Sequence, residues 1–435
     1  MFGDSERPPR VRREQDRALR AYVRRQVYPY SAANRNRLSA AGIGPLGVRD
    51  AADLRRLPPV SWIDVGDGSE LILRPHRTTI TRLGSPGLAF RVLFATLLGR
   101  RHTLNRSVIE PVYRPIHWLI DQGIPVGVTA NDLERLSEIG RRWLEAAGIR
   151  RSDIVASVIP AGPFLDNLQL MAATRRAGVA VASLENPPPL QDLVRIRPTV
   201  LVGRPRDVLA VCEDAARSNS PALAQLHTVL ATGEMLDEST RQSIERLVGT
   251  RAVVMSAWAP PGVRAMWAEC RGGEGLHTWP AAEVIEVVDP ASLEPVPAGT
   301  QGEVVWTSLG WAGTVTLRLR TGLRAVLHES PCSVCKRTTP RLVPVASVAT
   351  FAPVLDGHPG VAAWQSELSR RDGLEELVVF VAPSRPGHPG RLLRDLDRRL
   401  QATRAATQFV VLTPEELERR MADNGYSRVV DRRSR

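Results

Sequence analysis

"NDLERLSEIGRRWLEAAGIRRSDIVASVIPAGPFLDNLQLMAATRRAGVAVASLE", Asn131 to Glu185, carries the alternation that decides the fold. Its opening segment, "NDLERLSEIGRRWLEAAG", spaces apolar residues three and four apart, as one face of a helix does. "DIVASVIP" is an unbroken apolar run too short for a helix, the pattern of a strand buried on both faces. "FLDNLQLMAATRRAG" repeats the helix and "VAVASLE" repeats the strand. Helix, strand, helix, strand implies an α/β fold built on a mostly parallel, helix-covered sheet.

Working outward, "TVLVG" (199–203), "HTVLATGE" (227–234) and "RAVVMSAW" (251–258) are further apolar strands, with the helix "DESTRQSIERLVG" between the last two. Upstream, 76–102 runs from a strand through a Gly/Ser/Pro turn into an apolar helix. Residues 1–75 read as a helical entry segment of the large domain. From 283 to 330 the pattern turns β-rich, with "EVIEVVDP", "GEVVWTSL" and "VTLRLRTG" between Pro/Gly turns, and predicts a second, antiparallel layer. Strand, strand, helix, strand and a polar tail over 346–435 predict a small α+β C-terminal domain, which leaves 76–345 as the core of the large one.

Composition bounds the partners. The net charge is +12, but the arginines are dispersed and mostly sit beside acids, unlike the clustered cations of a nucleic-acid interface. One lysine among 58 basic residues reflects a GC-biased coding background. The longest apolar stretches, such as "LAFRVLFATLLG", are interrupted and fall short of the roughly 20 residues that span a bilayer. The arginine-rich N-terminus lacks an apolar core with a cleavage site, so a cytoplasmic location is expected. Four cysteines make no disulfide framework; in a reducing compartment the pair in "PCSVCKRTTPRL" (331–342) reads as metal-binding or redox-active.

The run "LATGEMLDESTRQSIERLVG … ECRGGEGLHTWPAAEVIEVVDPASLEPVPAGTQGEVVWTSL … LRLRTG … CSVCKRTTPRL" resembles the phenylacetate–CoA ligase branch of the adenylate-forming superfamily. The resemblance implies a large domain, a hinge and a small C-terminal domain, with ATP, magnesium and coenzyme A as ligands. It also implies a structural zinc, whose matching residues are Cys270, His277, Cys332 and Cys335. The chemistry agrees: a closed zinc site takes four Cys or His ligands, and "CRGGEGLH" has the glycines to curl toward the C-x-x-C turn. A thioredoxin-like role needs a helix after the motif, which "KRTTPRL" does not supply.

The nucleotide chemistry is where this chain departs from the family. The segment matching the phosphate loop, "TRLGSPGLAF", keeps Gly84, Ser85 and Gly87 but loses the hydroxyl run and the lysine. The adenine and magnesium element is "MSAWAPPGV", with no carboxylate between Met255 and Ala268. Leu323 stands where the resemblance implies an aspartate that accepts the ribose hydroxyls. "VPVASVATFAPV" lacks the hinge arginine and aspartate, and no lysine precedes the tail Arg428 to Arg433. Arg82 and Arg428 are the candidate replacements for the lost phosphate-binding lysines.

These losses predict a ligase fold without acyl adenylation, with ATP and magnesium lacking their ligands and coenzyme A retained as an expected ligand. Two forms follow. One is an ATP-independent enzyme on a small aromatic or acyl substrate, with Glu234, Glu269, His277 or His328 as acid/base groups. The other is a binding partner in a biosynthetic pathway, and the oligomeric state is left open. An active ATP-dependent carboxylate ligase with a divergent nucleotide site is the alternative. Tryptophans 258, 267, 279, 306 and 311 are read either as the lining of an aromatic pocket or as core anchors.

Overall fold

Most of the strand periodicity of the first unit is realised in one large sheet. The computed structural model describes residues 8–65, 68–75, 86–97, 109–121, 124–236, 238–344, 355, 358–371, 374–385, 389–400, 407–423 and 429–432. The strands are β1 (Val60–Ser61), β2 (Pro115–Asp121), β3 (Ile124–Thr129), β4 (Ile154–Ser157), β5 (Ala180–Ser183), β6 (Val200–Gly203), β7 (Thr228–Thr232) and β8 (Val253–Trp258). They continue as β9 (Trp267–Ala268), β10 (Leu276–His277), β11 (Glu283–Val288), β12 (Gln301–Ser308), β13 (Leu319–His328) and β14 (Arg341–Pro344). The 12-stranded sheet runs β11-β12-β13-β14-β10-β9-β8-β7-β6-β4-β5, with β1 paired to β13.

β4 to β8 pair in parallel, as the unbroken apolar runs predict. The β-rich region is not a separate layer: β9 turns back antiparallel on β8, and β10 to β14 extend the same sheet. Two short strands of two residues each make this join, below the length at which sequence periodicity can signal a strand. The hairpin β2–β3 is a further element that the sequence reading did not anticipate.

Helices cover the sheet, and their ends show how. The helix Ala130–Ala146 opens with a capping box in which Thr129 and Asp132 exchange hydrogen bonds. Asp132 also accepts from the N–H groups of Ala312 and Gly313 at 2.8 Å each, so the cap fixes the loop before β13 to the helix. Gly140 lets this helix lie against Leu165–Ala177: a Cβ there would come within 2.4 Å of the Ala173 Cβ.

The five tryptophans are core, not the lining of a pocket. Their exposures run from 0% at Trp267 and Trp306 to 8% at Trp258. Three of them collect around Glu283, 2% exposed, whose carboxylate accepts from Trp267 Nε1 at 2.9 Å, Trp306 Nε1 at 2.6 Å and the Trp279 N–H at 2.6 Å. Indoles enter a core when their N–H finds an acceptor, and one carboxylate serves two of them.

Contacts divide the chain into two compact units, Met1–Val288 with Glu294–Pro344, and Asp289–Leu293 with Val345–Arg435. The second holds β15 (Val361–Arg371), β16 (Leu374–Pro383), β17 (Thr407–Val411) and β18 (Val429–Asp431) in the order β17-β16-β15-β18. Leu355, Trp364, Val379, Val381 and Leu396 form its core. The polar tail carries the helix Pro414–Asp423 and the strand β18, whose few apolar residues gave little signal.

Glu283 makes a stability prediction. Burial holds its carboxyl up to about 7, against the opposing pull of its three donors. A carboxyl raised in the folded state keeps its full contribution below its ordinary value near 4.5, and that contribution is lost as pH rises toward 7. The unfolding free energy of the wild type from urea titration should therefore fall between pH 4.5 and 7.5 relative to Glu283→Gln, by up to about 3 kcal/mol. Glu283→Leu, which strands three buried donors, should cost about 1–3 kcal/mol for each of them.

Candidate functional site

Two constellations stand out in the first unit. The earlier-named ligand set is one of them: Cys270, His277 and Cys332 are buried, Cys335 is half-buried, and their ligand atoms lie within 4.8 Å of one another. Pairing of β10 with β14 sets His277 opposite Arg341 and so brings the two arms together. The first arm turns at Gly273 and Gly275, with φ of +64° and +106°. At Gly275 a side chain would also strike the Leu342 carbonyl, at 2.8 Å. Cys332 N–H donates to Arg337 O and Lys336 N–H to Cys332 O, which closes the C-x-x-C turn.

Within the cluster, Cys270 Sγ lies 3.7 Å from Cys332 Sγ, and Cys335 Sγ lies 3.4 Å from His277 Nε2. A tetrahedral site with Zn–S near 2.3 Å and Zn–N near 2.0 Å separates ligand atoms by roughly 3.5–3.8 Å, so the donor set fits such an ion. His277 Nδ1 meets Thr339 Oγ1 at 3.3 Å, which leaves Nε2 for the cluster. Burial and the nearby Arg337 and Arg341 push the His277 imidazole down to about 4, so it is neutral at pH 7. Glu274 joins the arms from outside, accepting from the Ser333 N–H at 3.2 Å and from Arg341.

The second constellation lies at the C-terminal ends of the parallel strands, where open α/β sheets bind ligands. The segment after β8 carries Arg264, 5% exposed, with its guanidinium 4.9 Å from the Trp62 ring. Its Nε and Nη2 have no hydrogen-bond partner. Other buried polar atoms without partners gather at the same end: Asp166 Oδ2 and Gln169 Nε2 on the helix after β4, and Arg204 Nε after β6. Sequence reading missed all four residues. Single charged residues in loops carry no periodicity, and only the strand order places them together.

The predicted acid/base groups stand on separate elements. Glu269 is 8% exposed and fully engaged, accepting from Arg241 Nη2 at 2.8 and 2.9 Å and from the Ser256 N–H at 2.7 Å. Glu234 is half-buried in the turn after β7, and His328 is exposed at the end of β13. Gly84 and Ser85 lie outside the described residues, as do Arg82, Arg428 and residues 345–354 of the expected hinge. Gly87 is exposed in the helix Pro86–Leu97, with open space beside it. Leu323 is 3% exposed within the main core, while Arg320 in the same strand forks onto Glu303 at 2.7–3.2 Å.

No family model matches the chain. A phenylacetate-coenzyme A ligase of Thermus thermophilus is 26% identical over 343 residues, covering 77% of this chain and 69% of that protein. One from Pseudomonas putida is 27% identical over 206 residues, and the match covers 46% of its length. Among solved structures, 2-hydroxyisobutyryl-CoA ligase in the postadenylation state with R3-HIB-AMP superposes with a TM-score of 0.66 at 17% identity, over 98% of each chain. The same enzyme with 2-HIB-AMP and CoA, in its thioester-forming state, gives 0.64 over 99% of this chain and 91% of that one. In the described residues no helix is long and apolar enough to cross a membrane. The chain is phenylacetate–coenzyme A ligase-like in sequence and has the fold of the adenylate-forming acyl-CoA ligases.

Proposed function

We propose that this chain binds a small acyl or aromatic carboxylate in a ligase framework without activating it as an acyl-adenylate. The observation that carries the reading is Leu323, packed at 3% exposure into the main core where the ligase resemblance calls for a ribose-binding aspartate. An apolar side chain there accepts no hydrogen bond, and each unpaired buried hydroxyl costs about 1–3 kcal/mol. Two further features support it. No carboxylate stands between Met255 and Ala268 to hold magnesium. The chain's one lysine, Lys336, is exposed on the C-x-x-C turn with its ammonium on Ser333 O, away from any phosphate role.

Of the two forms such a protein takes, the binding form is the better supported. Both Glu269 oxygens are held by Arg241 and Ser256, which leaves neither free for proton transfer. Coenzyme A, bound in one of the superposed ligase structures, belongs to the same proposal as a ligand. Cys270, His277, Cys332 and Cys335 would hold zinc, in a closed four-ligand site whose role is structural. When bound, the ion cross-links the arm before β10 to the turn before β14.

Thermal shift with ATP and magnesium should show no saturable stabilisation, and a panel of aromatic and aliphatic acids should release no pyrophosphate. Pyrophosphate release with any acid would restore the ATP-dependent ligase. Metal analysis of purified protein should find about one zinc per chain. Cys332→Ser should lose the ion and lower Tm by on the order of 5 °C. Less than about half an equivalent in the wild type would remove the zinc from the reading.

A further inference from the structure

The chain leaves β4 for β5 on one side and returns to β6 on the other, so the loops at the C-terminal ends of β4 and β6 diverge. Such a topological switch point opens a crevice suited to a ligand. Phe164, Asp166 and Gln169 follow β4, and Arg204 follows β6. Gly233, exposed after β7, stands beside Asp166 and Arg204. With φ at +78°, its position is one where a Cβ would lie 2.6 Å from Asp166 Oδ2 and 3.5 Å from Arg204 Nε. A carboxylate and a guanidinium therefore face the same point, yet among the described residues no ion pair joins them.

The hydrogen-bond count is incomplete at each of these side chains. Asp166, 4% exposed, spends Oδ1 on the Asn167 N–H and leaves Oδ2 without a partner. Gln169, fully buried one turn further along the same helix, spends Oε1 on the Met266 N–H and leaves Nε2 without one. Arg204 holds its guanidinium carbon 5.3 Å from the Phe164 ring and leaves Nε without one. Buried polar groups in folded proteins are normally paired, so one acceptor and two donors beside one switch point mark a polar occupant. The acceptor calls for an N–H on that occupant, and the two donors call for oxygen.

We propose that the crevice takes a small carboxylic acid that also bears an amino group, with the amino group on Asp166 and carboxyl oxygen on Gln169 and Arg204. This deepens the carboxylate-binding reading and rests on it. A zwitterion matches the site in charge as well as in hydrogen bonding, because it presents each charge to its opposite and adds no net charge. An acid without the amino group leaves Asp166 unpaired, and discrimination by an unpaired buried group is the strong kind. Phe164 and Arg204 add a flat, polarizable wall for an aromatic or aliphatic body.

The test is titration calorimetry on the full-length protein with two matched pairs, phenylacetate against phenylglycine and 3-methylbenzoate against 3-(aminomethyl)benzoate. The amino-bearing member of each pair should bind at least about tenfold more tightly. In Asp166→Asn that ratio should fall toward one, while Arg204→Gln should weaken both members alike. Equal binding of both members by the wild type would overturn the inference and leave the carboxylate-binding proposal standing. A ratio that persists in Asp166→Asn would overturn it too. If none of the four acids binds, both proposals fall together. The wild-type ratio needs no variant, so a misfolded Asp166→Asn does not rescue the idea.

Discussion

A single carboxylate, Glu283, holds the two halves of the large sheet in register. Its oxygens take the indole N–H of Trp267 in β9, the indole N–H of Trp306 in β12 and the backbone N–H of Trp279 between β10 and β11. β9 is where the parallel half ends, and β11 and β12 are the far antiparallel edge. Gln15 of the entry helix adds its amide to the Glu283 and Pro280 carbonyls, so the N-terminal segment docks on the same point. A buried acid with three donors and, among the described residues, no counter-cation is costly unless every donor is in place, which makes the arrangement specific as well as cohesive.

Polar side chains are spent differently across the unit. Asp132, Glu283 and Glu269 are buried and Arg320 is half-buried, all with hydrogen bonds made between segments apart in sequence. Asp166, Gln169, Arg204 and Arg264 carry unmade ones, and all four lie at the C-terminal ends of the parallel strands. Unmade bonds in a buried place are tolerated where a ligand or a moving element completes them. The Cys/His cluster stands beside that framework: its His277 lies in β10, which pairs with β14.

Much of this was open to reading in the residues. The parallel core follows from apolar runs between amphipathic helices, and the resemblance together with the donor chemistry pairs the C-x-x-C turn with the "CRGGEGLH" arm. Other signals were silent. The two-residue strands β9 and β10 are too short to show a period, so the β-rich segment read as a layer of its own. Tryptophan clustering in sequence does not say whether indoles line a cavity or fill a core; the shared acceptor Glu283 decides for the core.

By itself the sequence determined the class of fold, the candidate metal ligands, and the absence of lysines and carboxylates at the positions a ligase resemblance requires. These are properties of residue type and local period, which a chain carries before it folds. Only the tertiary structure decided that Leu323 is core, that Glu269 is held by Arg241, and that Asp166 and Arg204 face one glycine without meeting. Those facts depend on strand order and on which hydrogen bonds remain unmade. Neither can be computed from spacing, because each is a relation between segments that the fold, and not the chain, brings into contact.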